Sequence, residues 1–177
     1  MGFCFVHAAD LHLDSPFRGL AEQDPDVAES LRSATFEAFR GLVDLCIARD
    51  ARCLVVAGDV YDGADRSLAA QLRFREGLAR LAEHDIPSFV AHGNHDPLDG
   101  WSAAMTWPEG VRVFGEQVET VPLGDDLAVS GISYPTAKET RNLAAQFRAA
   151  HPERFQMAVL HANCGHDAAH APYAPCS

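Results

Sequence analysis

The chain has 177 residues, 47% hydrophobic and 22% charged, which fits one globular domain with a real core and excludes a low-complexity or disordered chain. A formal net charge of −11 argues against a broad basic face for coating nucleic acid, and no apolar run approaches the roughly 20 residues that span a bilayer. No basic stretch followed by an apolar one opens the chain, so no secretory signal is expected. Five scattered cysteines (Cys4, Cys46, Cys53, Cys164, Cys176), none in a C-x-x-C pair, predict reduced thiols and a cytoplasmic protein.

In chain order, Phe3 to Ala8 reads as a first strand and Ser15 to Leu20 as a loop. Asp24-Pro25-Asp26 announces a helix, in which Phe39, Leu42, Val43, Cys46 and Ile47 fall at i, i+3, i+4, i+7 and i+8 and so share one face. Arg52 to Ala57 is a second strand. A second helix is expected from Ser67 to His84, and a third strand from Pro87 to the Gly93-Asn94-His95-Asp96 turn. This β-α-β-α-β order predicts a parallel sheet with its site at the carboxyl edge of the strands. Beyond it we expect a short helix over Trp101–Trp107 and a meander of strands at Val111–Phe114, Val118–Val121 and Leu127–Ile132. A helix over Glu139–Ala150 and a last strand over Phe155–Leu160 follow. No repeat or linker divides the chain, which reads as a single domain over 1–177.

Asp59 lies at the centre of the chemistry. Val55-Val56-Ala57-Gly58-Asp59-Val60-Tyr61-Asp62 is a buried strand delivering an acid to a sheet rim. Asp10-x-His12 precedes it, while Asn94-His95-Asp96 and His161 follow. Each piece alone has a simpler reading. Asp-x-His is common, Gly-Asp is a turn, Asn94 and Asp96 can cap backbone amides, and a lone histidine after a strand is usually packed. Four successive strand ends bearing ligand types have no such reading. Asp10 and His12, two residues apart on one face of an extended segment, can chelate a first-row metal together.

These residues resemble the first four motifs of the calcineurin-like metallophosphoesterases. The stretch Ala9-Asp10-Leu11-His12-Leu13-Asp14-Ser15-Pro16-Phe17 is similar to the SbcD-type DNA-repair exonucleases and their YhaO-like branch. The resemblance implies an α/β fold, a four-layer α/β/β/α sandwich with two facing sheets, around two divalent metal ions (Mn²⁺ first, Fe or Zn²⁺ as alternatives). It implies Asp10 and His12 on the first metal, Asp59 bridging both, and Asn94 with His161 on the second. His95 would be the catalytic histidine, Asp96 an acid that orients it, and Asp62 a substrate-side or supporting acid. The implied activity is phosphoester hydrolysis by metal-activated water, on DNA or another phosphodiester, with an ATPase partner and a homodimer among the family's habits and no membrane. A phosphomonoesterase or nucleotide hydrolase on the same scaffold, and a non-catalytic metal- or partner-binding remnant, are the competing readings.

Two positions depart from the family pattern. The break-repair nucleases usually carry a histidine three residues after the bridging aspartate, where this chain has Asp62. Their closing Gly-His-x-His motif is also missing: Gly165-His166 is followed by Asp167-Ala168-Ala169-His170, at the wrong spacing. The sandwich is therefore expected to lack its C-terminal strands, with the chain stopping short of the last two ligands.

Overall fold

The computed structural model describes residues 2–16, 22–63, 66–165 and 173–176. Strand β1 is Val6–Ala8, helix α1 Pro25–Ala48, β2 Leu54–Ala57, α2 Leu68–Ala82 and β3 Ser88–Ala91. Then come β4 Val111–Val113, β5 Glu119–Leu123, β6 Leu127–Gly131, a single 3₁₀ turn Ala144–Gln146 and β7 Phe155–Val159. The first sheet has the order β1-β2-β3-β4 with every pair parallel, and the second has the order β5-β6-β7. The two long helices start where side-chain oxygens cap them: Asp24 accepts from the Val27 amide and Ser67 from that of Ala70.

Period-two alternation in the first sheet builds two cores at once. Leu54, Val56 and Val90 point to the helices, where Phe39, Val43, Phe74, Leu78 and Leu81 meet them. Cys53, Val55, Phe89 and Ala91 point the other way, onto Phe114 just past β4 and onto Leu127, Val129 and Val159 of the second sheet. Side chains buried this fully contribute about 1.5–3 kcal/mol each relative to exposure, so a one-residue slip of β2 or β3 would forfeit both cores. Helix, sheet and sheet are thus layered as the α/β sandwich requires. A groove of about 490 Å³ lies between Ser130, Gln156 and Ala158 of the second sheet and the segment around Phe147.

Three expectations change. Trp101–Trp107 forms no helix. That stretch is held by tertiary contacts: the Ala103 amide donates to Gln71 Oε1, Arg75 donates to the Thr106 carbonyl, and the Trp107 ring packs edge-on against Phe74. Glu139–Ala150 is likewise not an α-helix. Asn142 caps the Ala145 amide, the turn ends after Gln146, and Phe147 is already extended. Finally, Val111–Val113 leaves the meander to pair parallel with β3, closing the first sheet instead of opening the second. The hairpin of β5 and β6 and the terminal strand β7 follow the expected order. No described helix is long and apolar enough to cross a membrane.

Candidate metal centre

The carboxyl ends of β1, β2, β3 and β7 converge. Past the strands, the first two connections keep pairing: the amides of Asp10, His12 and Leu13 donate to the carbonyls of Gly58, Asp59 and Val60. This places Asp10 and His12 beside Asp59, and it costs backbone strain. Asp10, His12, Asp14 and Asp59 all adopt positive φ (53°, 42°, 62° and 54°), a left-handed conformation that disfavours a residue with a Cβ by about 1–2 kcal/mol. Such outliers persist where surrounding structure over-determines them, typically at functional sites.

Two glycines make the close approach. At Gly58 (φ +86°) a Cβ would sit 2.5 Å from the ring of His161, and at Gly93 it would collide with Asp59 Oδ1. Only hydrogen at these positions lets β7's histidine and β2's aspartate meet.

Asp96 does the anchoring. Fully buried, it accepts from the amides of Gly93 (2.7 Å), Asp59 (3.1 Å) and Val60 (2.9 Å), while its Oδ2 lies 2.9 Å from His92 Nδ1. Burial pushes its carboxyl up, but the His92 contact and the amides outweigh that and hold it below the usual range. The expectation that Asp96 orients His95 is therefore corrected: its imidazole partner is His92, and its task is to lock the β2 and β3 ends together. His95 Nδ1 instead lies 3.1 Å from Asp62 Oδ1.

Two clusters of donors result. In the first, Asp10, Asp59 and His161 each bring one ligand atom within 4.8 Å of the others. His161 Nδ1 donates to the Ala57 carbonyl at 3.0 Å, which turns Nε2 toward Asp59 Oδ2 at 3.4 Å. The second cluster is His12, Asp62 and His95, with the same closeness. Asp62 Oδ2 accepts from Ser15 Oγ at 2.6 Å, and its Oδ1 lies 3.7 Å from His12 Nδ1. His12 Nε2 is 4.0 Å from Asp10 Oδ1, so His12 stands between the clusters. Asn94 joins them in lining a cleft of about 400 Å³.

The two central carboxylates differ electrically. Burial raises the pKa of Asp59, against the opposing pull of the His95 amide and the His161 ring. Asp62 is lowered, first by the Ser15 hydroxyl and then by the two histidines. The donor set fits divalent cations: carboxylates and imidazoles suit Zn, Mn and Fe, a buried carboxylate of raised pKa is one a cation would return to its ionised form, and His12 Nδ1 is buried without a hydrogen-bond partner.

All six residues singled out as ligands or as the catalytic histidine (Asp10, His12, Asp59, Asn94, His95 and His161) thus line one cleft. His166 and His170 lie outside the described residues. Sequence reasoning missed Ser15, Asn163, Tyr173 and Tyr134. Ser15 offered one signal, its place in the Asp10–Phe17 stretch. Asn163 and Tyr173 line the cleft, and Tyr134, fully buried, sets its ring edge-on to His161 at 5.8 Å.

The family model for calcineurin-like phosphoesterases matches residues 4–161. The chain is 35% identical over 176 residues to the uncharacterised metallophosphoesterase YhaO of Bacillus subtilis, covering 97% of this chain and 43% of that protein. It is 30% identical over 145 residues to the SbcD component of the SbcCD nuclease of the same organism, covering 74% and 34%. To the DNA double-strand break repair protein Mre11 of Methanococcus maripaludis it is 32% identical over 92 residues, covering 52% and 23%. The chain spans less than half the length of each of these relatives. On the match across most of its length, the chain belongs to the calcineurin-like phosphoesterase family.

Proposed function

We propose that this cleft hydrolyses phosphodiesters, with DNA as the substrate class, at a centre of two divalent cations. Family membership supports phosphoester hydrolysis, and two relatives, a nuclease component and a DNA break-repair protein, support DNA. The observation that carries the reading is the meeting of Asp10, Asp59 and His161 beside His95 at the end of the strands.

In this reading Asp59, Asp10, His12, Asn94 and His161 would hold the cations. When bound, the cations supply charge against the phosphoryl oxygens and lower the pKa of water. The protein's own part is orientation. Asp62 holds the Nδ1–H of His95, so that Nε2 is the atom left to face the ester, and the imidazolium form of His95 would carry there the proton that the leaving oxygen takes. Asp96 keeps the two loops in register from below.

The test is hydrolysis of bis-p-nitrophenyl phosphate with Mn²⁺ by the wild type, Asp59→Ala and His95→Ala. Loss of rate in both variants is expected, and equal rates in all three would overturn the reading. A second reading, phosphomonoester hydrolysis, is favoured by one observation: the position three after Asp59 holds an acid paired with His95 rather than the histidine of the break-repair nucleases. A faster rate on p-nitrophenyl phosphate than on the diester selects it.

A further inference from the structure

Among the five cysteines, two are set apart from the rest. Cys46 and Cys53 are fully buried, and burial pushes both thiols up to about 11, which leaves them unreactive. Cys4 is exposed, on the segment leading into β1. Cys164 and Cys176 face each other. They form an isolated parallel β-bridge, Cys164 is exposed and Cys176 half-buried.

Three backbone hydrogen bonds hold the two segments side by side: the Asn163 amide to the Tyr173 carbonyl (3.1 Å), the Cys176 amide to the Asn163 carbonyl (3.0 Å), and the Gly165 amide to the Cys176 carbonyl (3.0 Å). Neighbouring strands run about 4.8 Å apart, within the Cα separation of roughly 4.4–6.8 Å that a disulfide spans. Burial first, and the neighbouring Cys164 after it, push the Cys176 thiol up, and Cys164, the exposed one of the pair, is the partner placed to meet an incoming oxidant. Each segment also carries a wall of the cleft, Asn163 on one and Tyr173 on the other.

We propose that Cys164 and Cys176 are a thiol-oxidation site, at which a small disulfide oxidant closes a Cys164–Cys176 bond and staples the two cleft walls together. In the first step the Cys164 thiolate attacks one sulfur of the oxidant, forming a mixed disulfide and releasing one small thiolate. The Cys176 thiolate then attacks Cys164 sulfur and expels the second. The two protons lost by the protein thiols are taken up by the two released thiolates, and the oxidant gains the two electrons the cysteines lose.

The experiment treats the chain with oxidised glutathione, then blocks remaining thiols and measures intact mass, a peptide map and amide exchange. The expected result is a loss of two of the five free thiols, a mass lower by two hydrogens before blocking, and a cross-linked peptide joining Cys164 to Cys176. The amides of Asn163 and Cys176 should exchange about tenfold more slowly when oxidised, because the staple removes local opening. Cys176→Ser should stop at a stable glutathione adduct on Cys164. An unchanged thiol count, persistent adducts on both cysteines, or a link to Cys4 would overturn the site. A link that forms without slowing the two amides would overturn the staple.

Discussion

The two clusters at the sheet edge are built from the same residue types and do opposite things with their central acid. Asp59 is 3% exposed, wedged between glycines that cannot be enlarged, and its pKa is raised by burial. Asp62 is more open, has a hydroxyl and two imidazoles around it, and its pKa is lowered. A carboxylate with a raised pKa lacks compensating positive charge, whereas one with a lowered pKa already has its partners. The contrast separates a position suited to holding a cation from one suited to aiming neighbouring side chains.

Asp59→Asn breaks the comparison most severely. It keeps the shape and the oxygen that accepts the His95 amide, but it removes the charge. Phosphodiester hydrolysis with Mn²⁺ should fall at least about 10³-fold, as expected for losing a two-metal centre. Stability of the metal-free protein should move the other way. The raised folded pKa of Asp59 means that its ionisation opposes folding at neutral pH, and the opposition fades as pH falls through that folded value. Asp59→Asn should therefore melt a few degrees higher than the wild type at pH 7 without metal, and the gap should close in acid. Added Mn²⁺ should raise the melting temperature of the wild type only.

Asp62→Asn sharpens the contrast from the other side. Metal-dependent stabilisation should survive, while kcat falls by about 10²-fold because His95 loses the acceptor that fixes its Nδ1–H. Asp62 has a lowered folded pKa, so it stabilises the fold above the ordinary carboxylate range and loses that contribution as pH falls through its folded value. The variant should melt lower than wild type at pH 7 and should converge with it in acid. A higher melting temperature would mean the two acids are not electrically distinct.

How much of this was legible in the sequence follows from how local each signal is. The strand ends at Asp10, Asp59 and Asn94-His95 announce themselves by an apolar run stopping at a candidate ligand, and α1 and α2 by their periodicity and caps. The division of the candidate ligands into two clusters was not legible. It depends on Ser15 reaching 47 positions ahead to Asp62, and on His95 choosing Asp62 over the adjacent Asp96, whose oxygens are taken by three amides and His92. The helices expected at Trp101–Trp107 and Glu139–Ala150 failed for a related reason. Their apolar residues, Trp107 on Phe74 and Leu143 beside Tyr134, are spent on separate tertiary contacts that no helical face could serve. The pairing of β4 with β3 was hidden because nothing in a three-residue strand encodes its neighbour.

Gly58→Ala should act on the first cluster alone. Its added methyl would meet the His161 ring in a left-handed backbone position, displacing the imidazole that Ala57's carbonyl aims at Asp59. Metal affinity read by titration calorimetry should drop by about 10–100-fold, the range for losing a group that orients a ligand. The pairing of His95 with Asp62 should remain, so activity at saturating Mn²⁺ should recover most of its wild-type value. A loss that Mn²⁺ cannot rescue would show that the clusters are not separable.

Ser15→Ala is the mildest test, and it isolates what lowers Asp62. The hydroxyl is the largest contributor to that shift and touches neither His12 nor His95 among the described residues. Its removal leaves Asp62 Oδ1 on His95 but frees Oδ2 and lets the carboxylate swing. A hydrogen bond to a charged acceptor contributes about 1.5–3 kcal/mol, but only the part that reaches His95 through Asp62 bears on the reaction. The expected loss is therefore about three- to tenfold in kcat, with KM and metal affinity unchanged. Ser15→Thr, which keeps the hydroxyl, should restore most of it. In the Asp62→Asn background Ser15→Ala should cost almost nothing more, because both changes remove the same restraint; full additivity would separate Ser15 from the His95 arrangement and leave it a loop contact.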